Sequence, residues 1–354
     1  MTAPAAFAIP GDIATLTGGY IYERRLLDGL RAQGRDVAHL QLPAAFPDPG
    51  PADMAQAVAQ LRAVDPARPL IVDGLVFGAI DTAGLAQVRA PIVAMIHHPL
   101  ALESGLTPER SDHLFRTERD NLRLAAHVLV PSPHTRAILT GRYGVPAGRI
   151  TVARPGVDRP GGTPAPARPP LILSVGIQHP RKGHDVLIAA LDRIRDLDWQ
   201  AVIAGGAHDR GYAAALERQR AELGLPDRLR LAGRVGWDTL HRLYRAASVF
   251  ALATRYEGYG IVLDEALSFG LPVVSCRTGA VPDTLPKGAG LLVPPDDPAA
   301  FADALRKVLS DGDLRAELAQ SAAEAGARLP DWGRTAATAG QVLDRLAGGR
   351  APVR

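Results

Sequence analysis

The fold class this sequence predicts is α/β, with two doubly wound, Rossmann-like domains in tandem. Three observations predict it. Short apolar β-branched runs alternate with amphipathic helical stretches. That alternation stops at a proline- and glycine-rich interval and then restarts. The length, 354 residues, exceeds what one hydrophobic core comfortably organises.

Ala5 to Pro10 reads as the first strand. Gly18-Gly19 follows, then a helix from about Ile21 to Gln33 that Gly34 ends, then a strand from Val37 to Leu42. Leu70-Ile71-Val72-Asp73 and Ile92-Val93-Ala94-Met95-Ile96 are apolar on both faces, as strands of a covered parallel sheet are. A helix over His113–Ala126 and a strand over Val128–Val130 complete this half. Residues 154–170 hold six prolines and three glycines with almost no apolar period, and read as a linker.

The second half predicts strands Leu171–Val175, Gln200–Ala204, Leu229–Ala232, Val249–Ala253 and Val273–Cys276. Helices are expected over Val186–Arg195, Tyr212–Leu223, Leu240–Ala246, Ile261–Phe269, Pro298–Leu309, Asp313–Leu329 and Thr335–Leu346. The expected division is 1–165, 166–330 and a C-terminal helical segment, 331–354, crossing back to the first domain. Two such domains imply a ligand cleft between them, bounded by the carboxyl ends of strands.

Composition narrows the function. The net charge is +3, and the bases are interleaved with acids, as in Arg116-Thr117-Glu118-Arg119-Asp120, which is no nucleic-acid footprint. Arg24, Arg25, Arg31 and Arg35, on an early helix, leave a weak peripheral contact with anionic membrane open. Beside Glu23 and Asp28 they read more simply as a solvated face. One cysteine, Cys276, excludes an internal disulfide and a multi-cysteine metal site, and its apolar run reads as buried. Neither a signal-peptide pattern nor an apolar run of membrane-spanning length is present, so the expected localisation is cytoplasmic.

The chemistry concentrates in Tyr256-Glu257-Gly258-Tyr259-Gly260-Ile261-Val262-Leu263-Asp264-Glu265-Ala266. Glu257 should lie on a loop and Glu265 one turn into the following helix. The turn at Gly258, Tyr259, Gly260 and Ile261 would leave N–H groups at a helix N-terminus, which attracts phosphate. Two carboxylates flanking an anion site suit a ligand with hydroxyls at both ends and phosphate between. An ordinary strand-to-helix turn with a solvated Glu265 is the plain alternative. Arg181 and Lys182, just past a strand end, supply the cations a diphosphate needs.

Other positions carry weaker signals. Gly18 and Gly19 before a helix can approach a phosphate, or form a plain turn. His97 and His98 end a strand, and Glu103 follows in Glu103-Ser104-Gly105, where an acceptor could be met. A dinucleotide G-x-G-x-x-G, a P-loop, H-E-x-x-H and G-x-S-x-G are all missing. Asp196-Leu197-Asp198 spells D-x-D but ends a helix, so surface acids are expected there. Neither a catalytic metal nor a cofactor is expected.

These residues resemble retaining glycosyltransferases of family 4, which have the GT-B fold. The family's E-x7-E signature is met by Glu257 and Glu265, and its phosphate segment is similar to Val175-Gly176 through Pro180-Arg181-Lys182-Gly183. Val152 to Asp158, Ala204-Gly205-Gly206, Ala232 to Val235, Gly270 to Val274 and Gly279 to Asp283 are also family-like. The resemblance covers residues 130–300 nearly throughout and the first domain more loosely. Ile177 stands where many members carry Arg, and Asp283 where Glu is commoner.

The resemblance implies that Arg181 and Lys182 bind the donor diphosphate, Glu257 the donor-sugar hydroxyls and Glu265 the ribose diol. It implies that backbone N–H groups of Tyr259 to Ile261 add to the phosphate site. Arg234 and Val235 would meet the base through main chain, and His97 the donor sugar, with His98 its rival. The domains become acceptor-binding and donor-binding in turn. The implied activity is retaining, metal-independent hexosyl transfer from a nucleotide-sugar, a UDP-sugar ahead of GDP-mannose, to an unidentified acceptor. A sugar-nucleotide epimerase, a phosphorylase and a non-catalytic sugar-nucleotide binding protein are the rivals.

Overall fold

Apolar runs flanked by turns make the strands, and helices between them cover both faces. The computed structural model describes residues 2–103, 105–159, 161 and 163–348. It divides into two units, Met1–Gly156 together with the stretch from Pro330, and Val157–Leu329.

The first unit is built on a parallel sheet of six strands: β1 (Ala5–Pro10), β2 (Val37–Leu42), β3 (Leu70–Asp73), β4 (Ile92–Met95), β5 (His127–Val130) and β6 (Ile150–Val152). Their order is β2-β1-β3-β4-β5-β6. β1, β3 and β4 are buried along their whole length. The order reverses direction between β1 and β3, and the crevice beyond the carboxyl ends at such a reversal is where open α/β sheets take ligands.

The second unit repeats the plan with β7 (Leu171–Val175), β8 (Gln200–Ala204), β9 (Leu229–Gly233), β10 (Ala247–Leu252), β11 (Val273–Cys276) and β12 (Gly290–Val293). The order is β12-β11-β10-β7-β8-β9, so the reversal falls between β10 and β7. Cys276 ends β11 fully buried, and burial pushes its thiol up to about 12.

Several elements differ from expectation. The division after residue 165 moves to Gly156/Val157, because the Ala165 and Ala167 N–H groups already bond to Arg245 and Ala246 carbonyls of the second unit. The return comes at Leu329/Pro330. The last helix, Trp332–Gly348, belongs to the first unit, and the final six residues of the 331–354 segment lie outside the described residues. Gly18 and Gly19 are not a turn but the first residues of the helix Gly18–Ala32. The helix expected from His113 begins at Pro108, because Thr107 caps Arg110 N–H and proline suits a first helical position.

The arginine face is the largest correction. The helix Gly18–Ala32 buries Tyr22, Glu23, Leu26, Leu27 and Leu30. Each fully buried leucine contributes about 1.5–3 kcal/mol. Glu23 stands three, four and seven positions before those leucines, on the same buried stripe, so it is not part of a solvated face. Arg35 lies beyond the helix and is buried. Its guanidinium donates to Asp344 at 2.9 and 3.0 Å and to the Gly340 and Ala3 carbonyls, which ties the last helix to the first unit. Against that helix, a Cβ at Gly29 would lie 2.7 Å from Ala336 Cβ, so only glycine permits the approach.

Candidate active site

In the second unit the site grows from the β7 and β10 ends, on either side of the sheet reversal. After β7 the chain makes a single tight turn, Pro180–Lys182, which His179 caps by accepting the Arg181 N–H through Nδ1. Gly183 then takes a left-handed φ of 61°, and a Cβ there would meet the Ala253 carbonyl oxygen at 1.9 Å. No other residue fits. The turn is laced to the β10 loop, since Arg255 N–H donates to the Arg181 carbonyl at 2.8 Å.

This brings three of the expected residues together. The Lys182 ammonium donates to Glu257 Oε1 at 2.6 Å, and Arg181 Nη1 lies 3.6 Å from Glu257 Oε2. Arg181 also donates to the Tyr256 carbonyl, and Thr254 Oγ1 lies 3.0 Å from Glu257 Oε1. Glu257 is only 4% exposed. Burial alone would raise its pKa; Lys182 first, then Arg181, outweigh that and hold the carboxyl below the usual range.

The turn after Glu257 ends at Gly260, whose φ of 92° makes the N-cap of the helix Ile261–Ser268 without a capping side chain. The Tyr259 hydroxyl donates to the Asp264 carboxylate, and Thr284 Oγ1 donates to the Tyr259 carbonyl at 2.7 Å. Gly258 lies on the loop between. Glu265 accepts from the buried Tyr244 hydroxyl at 2.7 Å. Burial pushes Glu265 up to about 7, against the Tyr244 bond and with help from Asp158. Glu265 is thus half-buried and bonded, not solvated. Arg234, exposed, and Val235 follow β9 at the sheet edge, two strands from β7.

Residue spacing alone did not disclose the supporting set. Arg255 forks onto Asp185 at 3.0 and 2.7 Å and reaches Asp296 at 2.6 Å. It also donates to the Pro180 carbonyl, clamping the Arg181–Lys182 turn from behind. Thr254 and Tyr244 hold the two glutamates. None of these has a fixed offset from its partner that a single sequence reveals.

In the first unit, His97 and His98 diverge. His98 Nε2 pairs with Glu103 at 2.9 Å, whereas His97 Nε2 lies 3.5 Å from Glu23 Oε1. Ser104 lies outside the described residues. A Cβ at Gly19 would stand 3.5 Å from the His97 ring, and Tyr22 meets that ring edge-on at 5.2 Å. Asp73, ending β3, caps the next helical turn by accepting the Leu75 and Val76 N–H groups. Glu23, Asp73 and His97 bring a ligand-capable atom each within 4.8 Å of one another. The cluster stands at the carboxyl ends of β3 and β4, beside the reversal of the first sheet.

Comparison with known proteins decides the family. The family described as Glycosyl transferases group 1 matches residues 160–325, and Glycosyltransferase Family 4 matches residues 20–159. The chain belongs to glycosyltransferase family 4. Among curated relatives of this family 4 chain, the D-inositol 3-phosphate glycosyltransferase of Corynebacterium efficiens is 32% identical over 275 residues, 70% of this chain and 64% of that protein. The chain therefore spans less than two thirds of that relative's length. The fold is GT-B. A sucrose-phosphate synthase from Thermosynechococcus elongatus superposes with a TM-score of 0.84 at 24% identity, over 98% of this chain and all of that one. Anabaena HepE, solved in complex with UDP-glucose, gives 0.77 at 18% identity, over 96% of this chain and 99% of that one.

Among the described residues of this family 4 chain, no helix is long and apolar enough to cross a membrane.

Proposed function

We propose that this protein is a retaining hexosyltransferase that takes its sugar from a nucleoside-diphosphate sugar, a UDP-sugar ahead of GDP-mannose. The observation that carries the reading is the Arg181–Lys182 turn seated against buried Glu257 where the second sheet reverses. A diphosphate there meets two cations and the N-terminus of the helix Ile261–Ser268. The similarity to HepE, solved with UDP-glucose, supports the UDP preference.

Departure of the nucleoside diphosphate builds negative charge on its terminal oxygen and oxocarbenium character on the sugar. Lys182 and Arg181 stabilise the first, and such preorganised donors contribute about 3–4 kcal/mol each. In taking up the phosphate, Lys182 shifts part of its bonding away from Glu257, whose carboxylate then accepts sugar hydroxyls. Glu265 accepts the ribose diol, while Arg234 and Val235 meet the base through main chain. No carboxylate is assigned as a nucleophile. The acceptor attacks on the face the diphosphate leaves, and the leaving phosphate takes its proton. In the first unit, His97 is the candidate partner for a sugar hydroxyl, with His98 and Glu103 next along the chain. A metal ion has no assigned part in the reaction, and the enzyme is proposed to act in the cytoplasm, with at most a weak membrane contact.

Release of nucleoside diphosphate from a panel of UDP- and GDP-sugars tests the reading, with chelator present and an acceptor pool that includes D-inositol 3-phosphate. Acceptor-dependent release from one donor supports it. Sugar interconversion without release indicates an epimerase, and saturable donor binding without turnover a binding protein.

A further inference from the structure

Two buried carboxyl groups in the first unit have no part in the reading so far. Glu23 is 1% exposed and Asp73 3%, and each brings a carboxylate oxygen within 4.8 Å of the other's. Two buried carboxyl groups this close are accommodated when one of them keeps its proton and shares it with the other. Burial raises Glu23 to about 7, with Asp73 opposing, and burial followed by the Glu23 charge raises Asp73 well above its ordinary range. The proton belongs to the pair rather than to either residue.

The second oxygen of Glu23 faces elsewhere. Glu23 Oε1 is buried without a hydrogen-bond partner among the described residues, and so is His97 Nε2, 3.5 Å away. Burial lowers the His97 pKa, with Asp73 opposing, so the ring is neutral near pH 7. Tyr22 edge-on and Gly19 alongside leave this ring little freedom. The other titratable groups facing the pair are Tyr20 and Tyr22.

We infer that Glu23 and Asp73 form a one-proton acid pair that positions His97 for sugar transfer by accepting its Nε2–H. This rests on the reading that His97 serves a glycosyl transfer. The pair fixes the imidazole tautomer as an orienting carboxylate does in other histidine sites, and Glu23 and Asp73 are positioning residues, not catalytic ones. A metal ion is the competing occupant. It would have to displace the shared proton.

Two experiments on the full chain separate this inference from the transfer reading. In the first, ring nitrogens of 15N-histidine-labelled, ligand-free protein are followed from pH 5 to 9. His97 should titrate below the ordinary imidazole range and carry its single proton on Nε2 at neutral pH and above, and should show a small step as the carboxyl pair loses its proton. Glu23→Gln should abolish that step, because the amide donates to an ionised Asp73 and accepts from His97, which leaves no shared proton to lose. A His97 that titrates like a free imidazole, or keeps its step in Glu23→Gln, overturns the pair. Stoichiometric uptake of Zn2+ or Mn2+ that perturbs the same resonance overturns it too.

The second experiment measures turnover of whichever nucleotide-sugar the panel selects. Glu23→Ala should lose about 30-fold or more in kcat, while donor affinity changes less than about threefold. Glu23→Gln should recover most of that loss with a flattened pH profile. Equal losses in kcat and donor affinity, or no rescue by glutamine, overturn the positioning role. If the first experiment succeeds and no sugar-nucleotide is turned over, the transfer reading falls and the acid pair stands.

Discussion

Lys182 Nζ and Glu257 Oε1 are 2.6 Å apart, and both side chains are nearly out of solvent. The cation proposed to meet a diphosphate is here paired with the carboxylate proposed to meet a sugar. Neither charge would be tolerated alone at this depth, and removing one member of a buried pair leaves the other uncompensated at about 3–5 kcal/mol.

Removing the Glu257 charge should therefore separate folding from chemistry. Glu257→Gln is expected to lower stability by about 2–4 kcal/mol, read by thermal or urea unfolding. Because Glu257 is held below its ordinary range, the wild-type benefit is full above the ordinary carboxylate range and fades as pH falls through the folded value. The gap between wild type and Glu257→Gln should narrow below about pH 4. A gap that stays constant with pH would contradict the charge pairing.

Glu265 titrates in the opposite sense. Its carboxyl, pushed up to about 7, is largely protonated below neutrality and ionised above it. A carboxylate accepts two diol hydroxyls better than a carboxylic acid does. UDP-glucose affinity, read by calorimetry, should strengthen several-fold from pH 6 to pH 8. Glu265→Ala should weaken binding by about 1–3 kcal/mol and abolish that pH dependence. Tighter binding at pH 6 would remove Glu265 from the ribose.

Glu118 provides a control outside the site. It is fully buried in the helix Pro108–Leu124, and burial pushes it up to about 8 against the pull of the Tyr143 hydroxyl and the Leu100 N–H. With the folded pKa above the unfolded one, stability falls as pH rises from the ordinary glutamate range through about 8. Glu118→Gln should match wild type near pH 5 and exceed it at pH 9 by on the order of 2–4 kcal/mol, measured by thermal unfolding. Equal melting curves at pH 9 would mean that the carboxyl ionises without cost.

Arg35 should be a structural anchor and not a surface charge. Arg35→Ala removes the guanidinium bonds to the Ala3 and Gly340 carbonyls and the ion pair with Asp344, which keeps only the Ala3 N–H among these donors. Because Asp344 is half-exposed and can rehydrate, the expected loss is about 2–3 kcal/mol by urea unfolding. A neutral result would return Arg35 to the solvated face.

How much of this was legible in the sequence follows from what each element depends on. The two-sheet plan was readable because parallel strands such as Leu70–Asp73 and Ile92–Met95 are apolar on both faces. The helix Pro51–Arg62 was not, since it buries only Ala57 and Leu61 and has little apolar period. β12 was missed because all four of its residues are only partly buried. Arg181, Lys182 and Glu257 could be grouped from glycines and strand ends, which local sequence records. Asp185, Arg255 and Tyr244 could not, because their partners are set by how strands order in the sheet. Glu23 was readable in principle: its offsets to Leu26, Leu27 and Leu30 put it on the buried stripe, and charge patterning drew attention away.

The central claim is that the Lys182 ammonium stabilises a departing diphosphate. It is tested most directly by steady-state kcat and donor Kd for wild type and Lys182→Ala on the donor the panel selects, with folding checked by thermal melting. The account predicts a fall of about 100-fold or more in kcat and a change in donor Kd below about tenfold, because charge on the leaving oxygen grows only in the transition state. A folded Lys182→Ala protein with near-native kcat would contradict it.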